Sequence, residues 1–344
     1  MHKYRLCSLS LEVLIRPDGP ILIKSSQEGA VDPAIPDMSF IRTRSPVVNH
    51  PGTTVYLPGS SLKGVLRSYC EGIGRALGLR PEVCDPFNEK SSCRCEADPN
   101  TEMPVPERYQ TSCHICRLFG STRLGGRIAI ADAYPTQETI AVTNTTSQRT
   151  GVGIDRLLGS SFRGALYDFE VVERGAFLTR IKIENFELWQ VGLLALALRD
   201  LNEGHLRIGF GTSRGMGFVK ADVRMAEVRY TGLVSQVNKA WWLRNRAGMF
   251  VLERDDQRLF YGVAEVMGEE ASDYGMRAGS AVEIPLESER ILRGGVEERI
   301  LLKSPQFPDH APLNRFFAAC VARLQHEAQA VSETPAQSSE GEMA

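Results

Sequence analysis

Five of the eight cysteines fall between residues 84 and 116: Cys84, Cys93, Cys95, Cys113 and Cys116. Thiolates are soft ligands, and four of them closing on one ion make a tetrahedral zinc site that can fold a short segment lacking its own core. Cys113-His-Ile-Cys116 has the two-residue spacing of a zinc-knuckle half. The other half must come from two of Cys84, Cys93 and Cys95, so four of the five are expected to bind Zn2+. His114 lies between two ligands and reads as a bystander. Four protein ligands leave no open coordination position, which makes the expected role structural. Free thiols are the competing reading.

A second group of residues suits phosphate. In YLPGSSLKGVLRSYCE, residues 56 to 71, a strand end and a glycine turn precede a helix start. Ser60 or Ser61 can cap the helix, and Leu62, Val65, Leu66 and Tyr69 follow the spacing of a buried stripe. Lys63 and Arg67 stand four apart and share one flank. Free N–H groups at a helix start with two cations beside them suit a polyanion. An amphipathic helix with a solvated basic edge has the same pattern. Farther on, GFGTSRGMGFV sets Gly209, Gly211, Gly215 and Gly217 around Arg214. A dinucleotide loop would open a helix, whereas this one precedes a strand. A glycine turn that admits a sugar-phosphate chain, with Arg214 on a phosphate, fits the residues; so does a tight interstrand turn. No histidine has a Ser or Cys partner at a recognisable motif spacing, so triad-type hydrolysis is unsupported.

These groups need a scaffold. Residues 4–16 and 20–24 alternate around Arg16-Pro17-Asp18-Gly19, predicting a hairpin or a broken first strand. A loop over 25–52 is kept extended by Pro33 and Pro36. The helix from Ser60 runs to about Leu79, an insertion spans 80–125, and RIAIADAY at 127–134 is a strand. Residues 135–164 read as a long polar loop, followed by strands at 165–172 and 177–186 joined through Arg174-Gly175. A helix over 187–204 aligns Leu188, Val191, Leu194, Leu198 and Leu201, and a last strand follows the glycine loop. The order βαββαβ defines an α+β, ferredoxin-like (RRM-like) core over residues 1–230. Beyond Thr231 a hairpin around Asp255 and Asp256, a strand pair flanking Gly294-Gly295 and a helix from Ala311 suggest a small α+β extension over 231–330 that meets a neighbouring subunit. That helix stacks Leu313, Phe316, Phe317, Cys320 and Leu324. The tail over 331–344 is polar and acidic, with the composition of a disordered segment.

The chain has 344 residues, 42% hydrophobic and 24% charged, as in soluble globular proteins. No apolar run reaches the roughly 20 residues needed to cross a bilayer, and the first residues enter a strand pattern too early for a secretory signal; a cytoplasmic location is expected. A net charge of −2 argues against coating nucleic acid by bulk charge. It permits a focused groove, because cations cluster at Arg42, Arg44, Lys63 and Arg67, and again at Arg149, Arg156 and Arg163.

The segments LPGSSLKGVLRS at 57–68, CHICRLFGS at 113–121, RTGVGIDRLLGSSFRGALYDFEVV at 149–172 and GFGTSRGMGFVKA at 209–221 together resemble backbone subunits of type III CRISPR effector complexes. Those subunits belong to the repeat-associated (RAMP) superfamily. The resemblance runs from about residue 5 to about residue 230 and stops there. It implies that the glycine loop lies against a guide RNA. It also implies that 149–172 is a thumb pressing between bases of the guide–target duplex, with Val152, Ile154 and Leu157 as its wedge. A cysteine-bound zinc in the insertion agrees with some members.

DMSFIRT resembles the acidic loop with which family members cut target RNA, and Asp37 matches the aspartate, with Arg42 following. Ser39 stands where the family pattern usually has proline, and Asp32 is the alternative acid. An aspartate there can hold Mg2+ or Mn2+, or orient the ribose 2′-hydroxyl for attack on its own phosphate. The implied partners are guide CRISPR RNA, target RNA, other effector subunits and further copies of this chain, with no membrane. The rivals are a non-catalytic RNA-binding subunit and, ranked lower, a guide-processing endoribonuclease, whose usual histidine chemistry is not apparent.

Overall fold

The computed structural model describes residues 4–25, 36–47, 49–85, 87–88, 93, 103–255, 257–278, 281–285, 289–293, 297–303 and 311–332. Asp32, Cys95 and residues 333–344 lie outside the described residues.

The chain begins with β1 (Cys7–Pro17), a short pair β2 (Arg42–Arg44) and β3 (Thr53–Val55), and helix α1 (Gly59–Ala76). Helices α2 (Val105–Thr111) and α3 (His114–Phe119) occupy the insertion, followed by β4 (Ile128–Ile130), β5 (Tyr134–Pro135) and the single turn α4 (Ile140–Thr143). Then come β6 (Ser147–Ile154), β7 (Ser161–Val171), β8 (Phe177–Glu184), α5 (Leu188–Glu203) and β9 (Val219–Thr231). The remainder holds β10 (Leu233–Val237), β11 (Ala240–Asn245), β12 (Gly248–Arg254), β13 (Gln257–Phe260), α6 (Val263–Met267), α7 (Glu270–Asp273), β14 (Val282–Pro285), β15 (Glu289–Arg293), β16 (Glu297–Lys303) and α8 (Ala311–Ser332).

The protein is α+β with antiparallel sheets. The main sheet has the order β15-β16-β9-β1-β8-β4, with β5 also on β8, and every pair in it is antiparallel. Alternation along β1 buries Leu9, Leu11, Val13 and Ile15. Val13, Ile15, Ile130 and Ile181 of the sheet meet Leu62 and Leu66 of α1 and Leu198 and Leu201 of α5, so the two helices cover one face. α5 is apolar nearly all round because α8 covers its other side. The approach is close: a Cβ on Gly192 would stand 2.3 Å from the carbonyl oxygen of Cys320.

Three expectations change. The turn at Arg16–Gly19 makes no hairpin; β1 pairs with β8 and β9, and Ile21 bridges to Val172 instead. Residues 135–164 are not one loop, because α4 and β6 lie within them and β6 pairs with β7 as a separate two-stranded hairpin. The glycines of β6 weaken its strand pattern, yet they serve packing: a Cβ on Gly151 would fall 2.3 Å from the ring of Tyr167 across the ladder. Finally, α8 extends two residues into the expected tail, to Ser332.

Candidate nucleic-acid interface and metal centre

Helix α3 brings Cys113 and Cys116 together, since Cys113 caps its start and accepts the Cys116 N–H at 3.4 Å. Cys84 and Cys93 close on them, and the four buried sulfurs all lie within 4.8 Å of one another. The Cys84 sulfur is 3.5 Å from that of Cys116 and 3.7 Å from that of Cys113. Bonds from Cys116 and Cys93 hold the Cys113 thiol below its usual range, whereas burial pushes Cys84 up to about 12. Four thiols so crowded can hold a metal ion. His114 stays outside the group: its ring packs on Trp189 with centroids 4.8 Å apart, and burial pushes its pKa down to about 3.

The start of α1 differs from expectation. Pro58 is the N-cap with no side-chain cap bond, so Ser60 and Ser61 lie inside the first turn. The Gly59 N–H donates to Asp132 Oδ1 at 2.7 Å, and a protein carboxylate thereby takes the place proposed for a phosphate. Lys63 Nζ donates to the Ile128 carbonyl at 3.1 Å, and burial with the neighbouring Arg67 charge holds its pKa below the usual range. Arg67 binds Glu71 Oε1 at 3.0 Å, the Gly120 carbonyl at 3.0 Å and the Cys116 sulfur at 3.5 Å. Both cations line an open cleft beside Cys84 and Cys116.

The hairpin of β6 and β7 carries apolar side chains into solvent. Ile154 is 66% exposed, Leu157 92%, Leu158 76%, Phe162 63% and Leu166 69%. Its tip is a closed turn in which Asp155 Oδ1 accepts the N–H groups of Leu157 at 2.7 Å and Leu158 at 3.0 Å. An ordered hairpin with an apolar edge can wedge between stacked rings, which a solvated loop cannot. Arg149 pairs with Glu173 at 2.5 Å, Arg156 is exposed, and the Arg163 side chain lies outside the described residues.

Asp37 is exposed and joined to this hairpin. Its Oδ2 accepts the Asp168 N–H at 2.9 Å, and Met38 bridges to Phe169 in parallel. Arg42, expected on RNA, is engaged by Glu170, whose pull raises its pKa; Arg44 is exposed on β2. In the glycine loop a short 3-10 turn, Thr212–Arg214, lies between Gly211 and Gly215, both left-handed. Gly215 has a φ of +83° and open space where a Cβ would be, while a Cβ on Gly217 would fall 2.4 Å from the Ile208 carbonyl. Arg214 donates to the Tyr167 hydroxyl and lies over the Phe210 ring at 5.5 Å.

Residues 167–170 of β7 thus touch the glycine loop and the acidic loop together. Tyr167, Asp168 and Glu170 were missed from the sequence. The one available signal was alternation in ALYDFEVV, which sets two acids on one side of a strand.

The sequence matches the RAMP superfamily over residues 19–220, more than half of the chain, and the protein belongs to that superfamily. RAMP proteins typically bind CRISPR RNA and assemble with other CRISPR-associated subunits. No curated protein sequence matches the chain. Among the described residues no helix is long and apolar enough to cross a membrane.

Proposed function

We propose that this RAMP protein is the guide-RNA-binding backbone subunit of a type III CRISPR interference complex and that it cuts paired target RNA through Asp37. The observation that carries the reading is the convergence on residues 167–170 of β7: the acidic loop, the glycine loop and the base of the hairpin meet there. A guide laid along Gly215 would pass beside Asp37, and the apolar hairpin would enter the duplex from the same side. The strand order β9-β1-β8-β4 supports a ferredoxin-like core in this reading, being compatible with the 4-1-3-2 arrangement of a βαββαβ unit. Sequence recognition is left to base pairing, and the protein reads phosphate and shape. Arg44, Arg156, Arg163 and Arg214 are the phosphate contacts in this reading, together with Lys63. The cells' cytoplasm is its place of action, and further copies of the chain are its neighbours.

The four-thiol group fits structural zinc. A tetrahedron with Zn–S bonds of about 2.3 Å has S···S edges of ~3.8 Å, close to the two short distances between the sulfurs. Cys84, Cys93, Cys113 and Cys116 would be the ligands, which leaves Cys95 over. At the cutting site a bound Mg2+ or Mn2+ would neutralise charge developing on the phosphate. Asp37 holds its carboxylate at the solvent edge, where it can take that ion or the 2′-hydroxyl proton.

The test is target cleavage by complexes assembled with guide RNA in magnesium. Asp37→Ala is expected to abolish cutting and keep target binding, with Asp32→Ala as the control that keeps most of the rate. The second reading, a non-cutting scaffold, draws on the bond between Asp37 and the Asp168 amide, which a turn-forming aspartate would also make. A wild-type complex that leaves target intact in magnesium and in manganese establishes it.

A further inference from the structure

We propose that Glu170 is a positioning residue that locks the Asp37 loop onto the hairpin of β6 and β7, so that the cutting group and the wedge move as one body. The proposal rests on the reading of Asp37 as the cutting residue, and adds a second residue to it.

Glu170 is 8% exposed and its carboxylate is surrounded by donors. Oε2 accepts the Phe40 N–H at 2.8 Å and Arg42 Nη1 at 2.8 Å, while Oε1 accepts the Thr146 hydroxyl at 2.6 Å and Arg42 Nη2. A carboxylate offers about four lone-pair sites, and all are used. Glu170 therefore has nothing left for a metal or an RNA hydroxyl; its work is done on the protein.

The backbone continues the clamp. Met38 N–H donates to the Asp168 carbonyl at 3.1 Å, and Glu170 N–H to the Met38 carbonyl at 2.9 Å. With Asp168 N–H on Asp37 Oδ2, residues 37–40 lie along β7 like a short added strand. Phe40, 1% exposed, anchors its far end in the core. The Asp37 side chain stands exposed at the rim, held at one oxygen.

The acid cannot be exchanged for its amide here. In either orientation glutamine would turn its NH2 donor toward one nitrogen of Arg42, itself a donor, and the bidentate guanidinium pair would be lost. Asp37 would then move relative to the wedge. Misplacement by about an ångström lowers a rate on the order of a hundredfold, because the near-attack geometry is populated less.

The experiment uses the complex assembled with guide RNA and reads single-turnover target cleavage, target half-saturation, and hydrogen exchange of amides 38–42. Glu170→Gln is expected to slow cleavage at saturating target on the order of a hundredfold, to leave half-saturation unchanged, and to speed exchange at Phe40. Wild-type cleavage with wild-type exchange overturns the proposal, and so does a loss of target affinity that accounts for the whole loss of rate. Arg42→Ala, which keeps the Phe40 and Thr146 bonds, is the milder variant should Glu170→Gln fail to assemble, and is expected to shift rate and exchange in the same direction. If the wild-type complex does not cut, the reading of Asp37 fails, and the exchange data alone decide the clamp: faster exchange in the variant upholds it, equal exchange overturns it.

Discussion

Arg67 donates to the sulfur of Cys116 at 3.5 Å and to the carbonyl of Gly120 at 3.0 Å, so a cation expected on RNA phosphate ties α1 to the thiol group. Groups that bond to ligand atoms orient them and tune their basicity. Arg67→Ala is expected to weaken metal retention by about 10- to 100-fold. Lys63→Ala, which breaks only the bond to Ile128, should leave it unchanged. Competition against a chromophoric chelator measures both.

Elemental analysis should find one zinc per chain, falling to none in Cys113→Ser. Loss of the ion should lower the melting temperature and open the insertion to protease, because metal-binding energy is folding energy for the segments that its ligands join. Cys95→Ser should keep the metal.

Leu157→Ser with Leu158→Ser should change stability by no more than about 0.5 kcal/mol, since both side chains are exposed. The same pair should remove the unstacking of bases in the guide–target duplex. Chemical probing of the bound RNA reads the spacing of reactive nucleotides, and an unaltered pattern returns the hairpin edge to an idle role.

Burial acts to raise the pKa of Glu170, but bonds from Arg42, Thr146 and the Phe40 N–H outweigh it and hold the pKa below the usual carboxylate value. The sign follows from linkage. A lowered folded pKa means the unfolded chain binds more protons, so stability rises with pH across that interval. The clamp is complete above the ordinary glutamate range and is lost as pH falls through the lower folded value. Arg42 stays charged throughout, while Asp37 and Asp168 stand beside it on the same two segments. Protection of the Phe40 amide, its exchange rate divided into that of the unstructured chain at the same pH, should therefore fall as pH drops below the ordinary glutamate range, and Glu170→Gln should flatten that dependence.

The parts legible in sequence were those with a local signature. Two of the four grouped cysteines stand in one Cys-x-x-Cys, β1 and α5 show clear periodicity, and the glycine loop declares its turns. What connects them was not legible. Glu170 and Arg42 are 128 residues apart, and Asp37 and Asp168 are 131 apart. Partners at such separation leave no spacing rule, so Arg42 looked like a free cation. The hairpin was hidden for a different reason: β6 faces solvent on an apolar edge and uses glycine opposite Tyr167, which reverses the usual signs of a strand. Asp132 as the partner of Gly59 lay beyond sequence reasoning for the reason that hid Glu170.

The pairing of β16 with β9 from Met225 to Thr231 bears on how far the chain can be shortened. A chain ended after Thr231 would strip the outer neighbour from a 13-residue strand and uncover the side of α5 on which Gly192 meets Cys320. The first leaves a row of open backbone donors and acceptors ready to template another strand, and the second leaves an apolar helix face in water. Such a fragment should gather into aggregates instead of remaining a free RNA-binding unit, so any effort to isolate the RAMP core has to carry the C-terminal hairpin and helix with it.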